Sequence, residues 1–167
     1  SIKCQKAANL CKNDLVSQVV TEFPELQGTV GKIYADLDGT DIDISNAIAE
    51  HYLPVKQDDK VPLNPISIVV SISDKINTLI CFWKIKEKPT GSKDPFGLRR
   101  CAIGLIRTLI ENKLKLDIRK LIFDYLNIDD LKDLFIFLEE RFRVYLIERN
   151  YDHGVLDACL SYKDFND

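Results

Sequence analysis

The residues best equipped to act on a partner are cations gathered in one short segment. Lys84, Lys86, Lys88, Lys93, Arg99 and Arg100 share residues 84–100 with two acids, Glu87 and Asp94, a local balance of +4. Elsewhere the chain is acidic: residues 1–60 carry six basic and ten acidic side chains, and the net charge is −3. Clustered Lys and Arg raise the local potential even on a net-acidic protein, so a polyanion such as a nucleic-acid backbone should be met there. Within the segment, Thr90, Gly91, Ser92 and Lys93 lead into Asp94 and Pro95. That order combines a glycine permitting close backbone approach, the free N–H groups of a helix start and a lysine, which together suit an anion. It is not a nucleotide-binding P-loop, which needs a second glycine and a Lys-Ser/Thr pair at fixed spacing. Asp94 also competes for the same N–H groups. Arg99 and Arg100 fall in the first helical turn, where their charge opposes the helix dipole unless an anion compensates. Lys84, Lys86 and Lys88 sit at the end of the preceding helix, where the dipole favours them without any partner.

Other chemistry has little support. A hydrolytic metal site needs several imidazoles and carboxylates, and His51 and His153 are far apart with no ligand-like neighbours at helical spacing. His51, at a helix end before Pro54, reads as a satisfied structural histidine, and His153 as a surface or capping residue. Five cysteines, at 4, 11, 81, 101 and 159, are odd in number and contain no C-x-x-C. They read as reduced thiols packed like small hydrophobes, which points to the cytosol. Nothing in the local pattern marks a Ser-His-Asp or Cys-His triad.

The elements that must position the cations are helical. Hydrophobic residues make up 46% and charged residues 29% of the chain, an ordinary globular composition. Ala8, Cys11, Leu15, Val19 and Phe23 step by three and four, predicting one helix that stops at Pro24. Leu26, Val30, Ile33 and Tyr34 make a second stripe. Ile44, Ala47, Ile48 and His51 make a short third helix capped by Asp43 or Ser45. Residues 55–65 form a loop. Residues 66–85 are dense in β-branched side chains, but their length without Gly or Pro predicts a buried central helix rather than strands. Asp94 and Pro95 open the next helix, which carries Ala102, Leu105, Ile106, Leu109 and Ile110. Stripes at 118–125, 131–146 and 155–159 predict the last helices. No apolar run approaches the ~18 residues of a membrane span. The first residue is Ser1 and there is no methionine, which reads as a processed or excised piece.

Several stretches, taken in order, resemble the beta subunit of the bacterial, two-subunit glycyl-tRNA synthetase. They are residues 7–16 (AANLCKNDLV), 22–28 (EFPELQG), 50–54 (EHYLP), 73–79 (SDKINTL) and, the most idiosyncratic, 89–100 (PTGSKDPFGLRR). Arg141 to Arg143 and Tyr151 to Leu160 continue the likeness less specifically. The resemblance implies an all-α fold, an HD-domain-like helical bundle over 1–112 with extra C-terminal helices over 113–167. The phosphohydrolases of that fold hold metal with a His-Asp pair and a later Asp. Here Asn13 and Asp14 stand at the pair and Asp74 at the later position, and Asn77 replaces a further acid usual in the family. Without imidazole these degenerate positions imply no metal and no catalysis in this chain. The resemblance further implies that the alpha subunit makes glycyl-adenylate with ATP and Mg, in a cytoplasmic assembly of two alpha and two beta subunits. This chain would then contact the backbone of tRNA(Gly) through Lys93, Arg99 and Arg100 first, then Lys84, Lys86 and Lys88, with no membrane involved. Two alternatives stand beside it: an HD-type metal-dependent phosphohydrolase, and a structural spacer with an exposed apolar patch near 113–160.

Overall fold

The computed structural model describes residues 1–161, with the side chains of Asp157, Cys159, Leu160 and Ser161 outside the description. Its helices are α1 (Ile2–Leu10), α2 (Gln18–Glu22), α3 (Thr29–Leu37), α4 (Ile42–Glu50), α5 (Pro65–Lys84), α6 (Leu98–Glu111), α7 (Ile118–Ile122), α8 (Ile128–Glu148) and α9 (His153–Ser161). Among the described residues there is no strand, only one bridge between Thr90 and Lys93. The fold class is the all-α one the spacing predicted.

The first stripe is not one helix. It breaks into α1, a 3-10 turn at Asn13–Val16 and α2. The cause is local: Ser17 caps α2 by accepting from the Val20 N–H at 3.3 Å, and Asp14 turns inward to accept from the Gly28 N–H at 2.6 Å. Asn, Asp and Ser side chains compete with helical hydrogen bonds in this way. The cap of α4 is Asp41, not Asp43 or Ser45; Ser45 is buried within the helix.

Helix α5 organises everything else. Asn64 caps it and Pro65 occupies its first turn, where a missing N–H costs nothing. Its N-terminal half supplies Val70 to a cluster with Ala7, Cys11, Ala35, Ile44, Ala47 and Ile48. Ile72 and, from its C-terminal half, Leu79, Ile80 and Trp83 join a second cluster with α6, α7 and α8 that includes Leu98, Leu105, Ile122, Leu134 and Leu138. By length and composition α5 could span a membrane, which the sequence reading did not anticipate. In this fold Ser67, Ser71 and Lys75 of the same helix are buried inside the bundle.

Lys75 ties three elements together. Only 5% exposed, its ammonium donates to the carbonyls of His51 (3.1 Å) and Leu53 (2.9 Å) and to Ser71 Oγ (2.7 Å). Those carbonyls lie just past α4, where a helix leaves acceptors unpaired. Gly104 of α6 sits against the same side chain: a Cβ there would come within 2.8 Å of Lys75 Cε. Burial pushes the Lys75 amine down to about 8, and burial pushes the neighbouring Cys101 thiol up to about 12. Cys11 is buried too, whereas Cys81 is exposed, so it is not the packed thiol its sequence position suggested; these and Cys4 are free.

Between pH 8 and 9 the unfolded chain, with lysine near 10.5, holds a proton that folded Lys75 sheds, so stability should rise with pH. Above 9 the unfolded cysteine loses a proton that folded Cys101 keeps, and the rise should level off. Denaturant unfolding at stepped pH should show this, with a slope of up to about 1.4 kcal/mol per pH unit below 9. Lys75→Met should abolish the slope and cost about 3 kcal/mol, because buried carbonyls lose their donor.

Candidate nucleic-acid interface

The cationic segment divides into charges that are spent inside the protein and charges that are not. At the end of α5, Lys86 adopts a left-handed conformation (φ 62), and the N–H groups of Lys86 and Glu87 close back on Trp83 and Phe82. This aims the Lys86 ammonium at both carboxylate oxygens of Asp130 in the first turn of α8. Lys88 bonds Asp133 at 2.8 Å and Asp130 at 3.4 Å, and the Trp83 indole donates to Asp133 at 2.7 Å. Hydrogen bonding to Lys88 holds the Asp133 carboxyl below its ordinary range, and to Lys86 that of Asp130. The positive side chains ending α5 thus meet the acidic start of α8, an arrangement both helix dipoles favour. Lys84 is exposed, with its ammonium 5.7 Å from the Tyr125 ring centre.

The turn that follows is tightly closed. Thr90 and Lys93 exchange backbone hydrogen bonds of 3.0 and 2.8 Å around Gly91, whose φ is 49. The Asp94 carboxylate accepts from the N–H groups of Leu98 (2.8 Å) and Arg99 (3.0 Å). The helix therefore starts at Leu98, after Gly97 at φ 65, and not at Pro95. The capping role read from Asp94 holds, but it fills the N–H groups that a phosphate would have used. With those two N–H groups taken, the exposed Lys93 and Arg100 side chains are the segment's main means of attracting an anion. Arg99 donates to the Gly91 carbonyl and is half-buried. Lys93 and Arg100 are exposed, and neither has a carboxylate partner among the described residues.

Arg100 stands between two clefts. One, of 390 Å³, also has Lys12, Tyr52, Asp74, Lys75 and Phe96 in its lining. The other, of 460 Å³, brings Lys56, Arg107 and Arg149 together with Glu148 and Tyr145. Arg107 is held there by Glu111 (2.9 Å) and by the carbonyls of Lys56, Gln57 and Asp59, and Arg149 shares Glu111 at 2.9 Å while lying over Tyr145. Lys56 and Arg149 were not among the residues singled out from sequence. They come from the 55–65 loop and the end of α8, and only the packing of α8 on α6 unites them with Arg100.

Of the three positions that the resemblance set against a metal site, Asp74 lines the first cleft, and Asn13 and Asp14 do not. Asn13 is exposed on the 3-10 turn, and Asp14, 1% exposed, accepts from the Gly28 N–H through Oδ2, its Oδ1 buried without a hydrogen-bond partner. Asp74 is paired with Lys12 at 2.9 Å, whose ammonium also lies over the Tyr52 ring. His51 is fully buried, with Nδ1 2.8 Å from the Ile48 carbonyl and its ring against Tyr52; burial lowers its pKa, so it is neutral. His153 is exposed at the start of α9. One carboxylate bound to backbone and one neutralised by a lysine do not make a set of donors for a divalent ion. Among the described residues no three His, Cys, Asp or Glu side chains gather as metal ligands.

A family described as glycyl-tRNA synthetase beta subunit matches residues 2–161. The chain belongs to that family. Among its relatives, the glycine–tRNA ligase beta subunit of Ruegeria sp. (strain TM1040) is 41% identical over 163 residues, 98% of this chain and 24% of the relative. That of Cereibacter sphaeroides (strain ATCC 17023) is 42% identical over 167 residues, 93% of this chain and 24% of the relative. The Paracoccus denitrificans (strain Pd 1222) protein is 42% identical over 159 residues. The chain thus spans about a quarter of the length of these relatives.

Asp94→Ala should cost about 1 kcal/mol in denaturant unfolding, the usual worth of a capping side chain. Asp94→Asn should retain part of it.

Proposed function

We propose that this chain is a non-catalytic, tRNA-holding part of a glycine–tRNA ligase beta subunit. In this reading an alpha subunit forms glycyl-adenylate with ATP and Mg, in a cytoplasmic assembly of two alpha and two beta subunits. The chain itself uses no cofactor. The observation that carries the reading is the set of unspent cations on the 89–100 turn. Lys93 and Arg100 face solvent without carboxylates, and Arg100 opens onto a cleft that also holds Lys56 and Arg149. Side chains of this kind contact phosphates and fix position without reading sequence. Lys86 and Lys88, which join α5 to α8, contribute less to RNA and more to the fold; Lys84 and Arg99 lie between these extremes.

The HD-type phosphohydrolase reading is disfavoured by the Lys12–Asp74 pair, since a metal would have to displace an ammonium already hydrogen-bonded to its best ligand. A spacer without RNA affinity is distinguished by direct titration.

Anisotropy titration of a tRNA(Gly) transcript at stepped salt should give weak binding with a steep negative slope of log K against log salt. Replacing Lys93, Arg99 and Arg100 together by alanine should reduce that slope by about two to three and weaken binding at least about tenfold. Lys86→Ala should lower stability and leave the slope nearly unchanged. Indifference of tRNA affinity to the triple change would remove the assignment.

A further inference from the structure

Helix α5 buries two faces and leaves a third stripe uncovered. Together with the 114–116 segment and α7, that stripe bounds an apolar groove of 840 Å³ that runs from Pro65 to Lys84. Val69 is 47% exposed along one wall, and Leu116 (42%) and Leu121 (47%) along the other, with Ile76 half-buried on the floor. Apolar side chains exposed together around one depression, rather than scattered, mark a contact surface.

Its charges say what it contacts. The charged residues in the lining are Lys84 and Lys115, both exposed, and neither has a carboxylate partner among the described residues. A protein with net charge −3 therefore presents here an apolar trough bordered by unneutralised positive charge. We infer that this groove receives an amphipathic helix whose apolar face is flanked by Asp or Glu. The trough follows α5, whose 20 residues extend about 30 Å, room for several turns of a helix laid alongside. One wall is the long helix α5 and the other the extended 114–116 segment with the short α7, so an occupant laid along α5 can meet it in the i, i+3, i+4, i+7 register of helix-in-groove docking. Charge supplies the selectivity: an acidic helix is repelled by the acidic body and accepted at the two lysines, whereas a basic helix meets the reverse. This inference does not rest on RNA binding, and its residues other than Lys84 lie outside the proposed tRNA contacts.

The test uses two fluorescein-labelled 18-residue helical peptides with the same leucine face, one flanked by glutamates and one by lysines. The glutamate peptide should bind the protein at least tenfold more tightly. Val69→Asp and Leu121→Asp, each checked for unchanged helical circular dichroism, should abolish that binding and spare tRNA affinity. Lys84→Glu with Lys115→Glu should invert the preference between peptides. Equal affinity for both peptides, or binding unaffected by both aspartate variants, would overturn the inference. So would a concentration-dependent dimer dissolved by Val69→Asp, which would give the groove to a second copy.

Discussion

An ammonium group without a carboxylate sits where α4, α5 and α6 meet. Lys75 satisfies the carbonyls left over at the end of α4, and its stem requires Gly104 on the helix opposite. A buried cation is tolerated only when its protons find acceptors, and the chain leaving α4 supplies them as main-chain oxygens. The consequence reaches beyond stability. The position of α6 relative to α5 decides where the 89–97 turn is held and where Arg100 emerges, so the exposed cations depend on a buried one.

The remaining charges follow from a simple division. Where a lysine lies within reach of an acid on a neighbouring helix it is used for assembly: Lys86 and Lys88 on Asp130 and Asp133, Lys12 on Asp74. Where no acid is within reach, at Lys93 and Arg100, the charge is available to a partner. At two of the positions that the resemblance set against a metal site, Asp14 bonds a backbone N–H and Asp74 a lysine, so both carboxylates take part in holding the fold.

Much of the fold was legible in sequence because length and periodicity reinforce each other in α5 and α8. The β-branched run at 66–85 could have misled, but no strand extends so far. The break between α1 and α2 was not legible, since it depends on Asp14 reaching Gly28, a contact outside any helical window. Asp94 illustrates a half-success: its capping chemistry was readable, but Gly97 in a left-handed conformation delays the helix to Leu98 and leaves Pro95 outside it. At the candidate site the cluster itself was readable. Which of its members are free was not, because Asp130 and Asp133 lie far along the chain, and Lys56 and Arg149 join the cleft only after α8 packs on α6.

The claim that the 89–100 turn faces an RNA backbone is most directly tested by chemical footprinting. Lysine acylation and arginine modification would be mapped by mass spectrometry on the protein alone and saturated with tRNA(Gly). The account predicts protection of Lys93 and Arg100, with Lys56 and Arg149 next and Lys32, on the acidic side of the chain, unchanged. Equal modification of Lys93 and Arg100 with and without bound tRNA would contradict it.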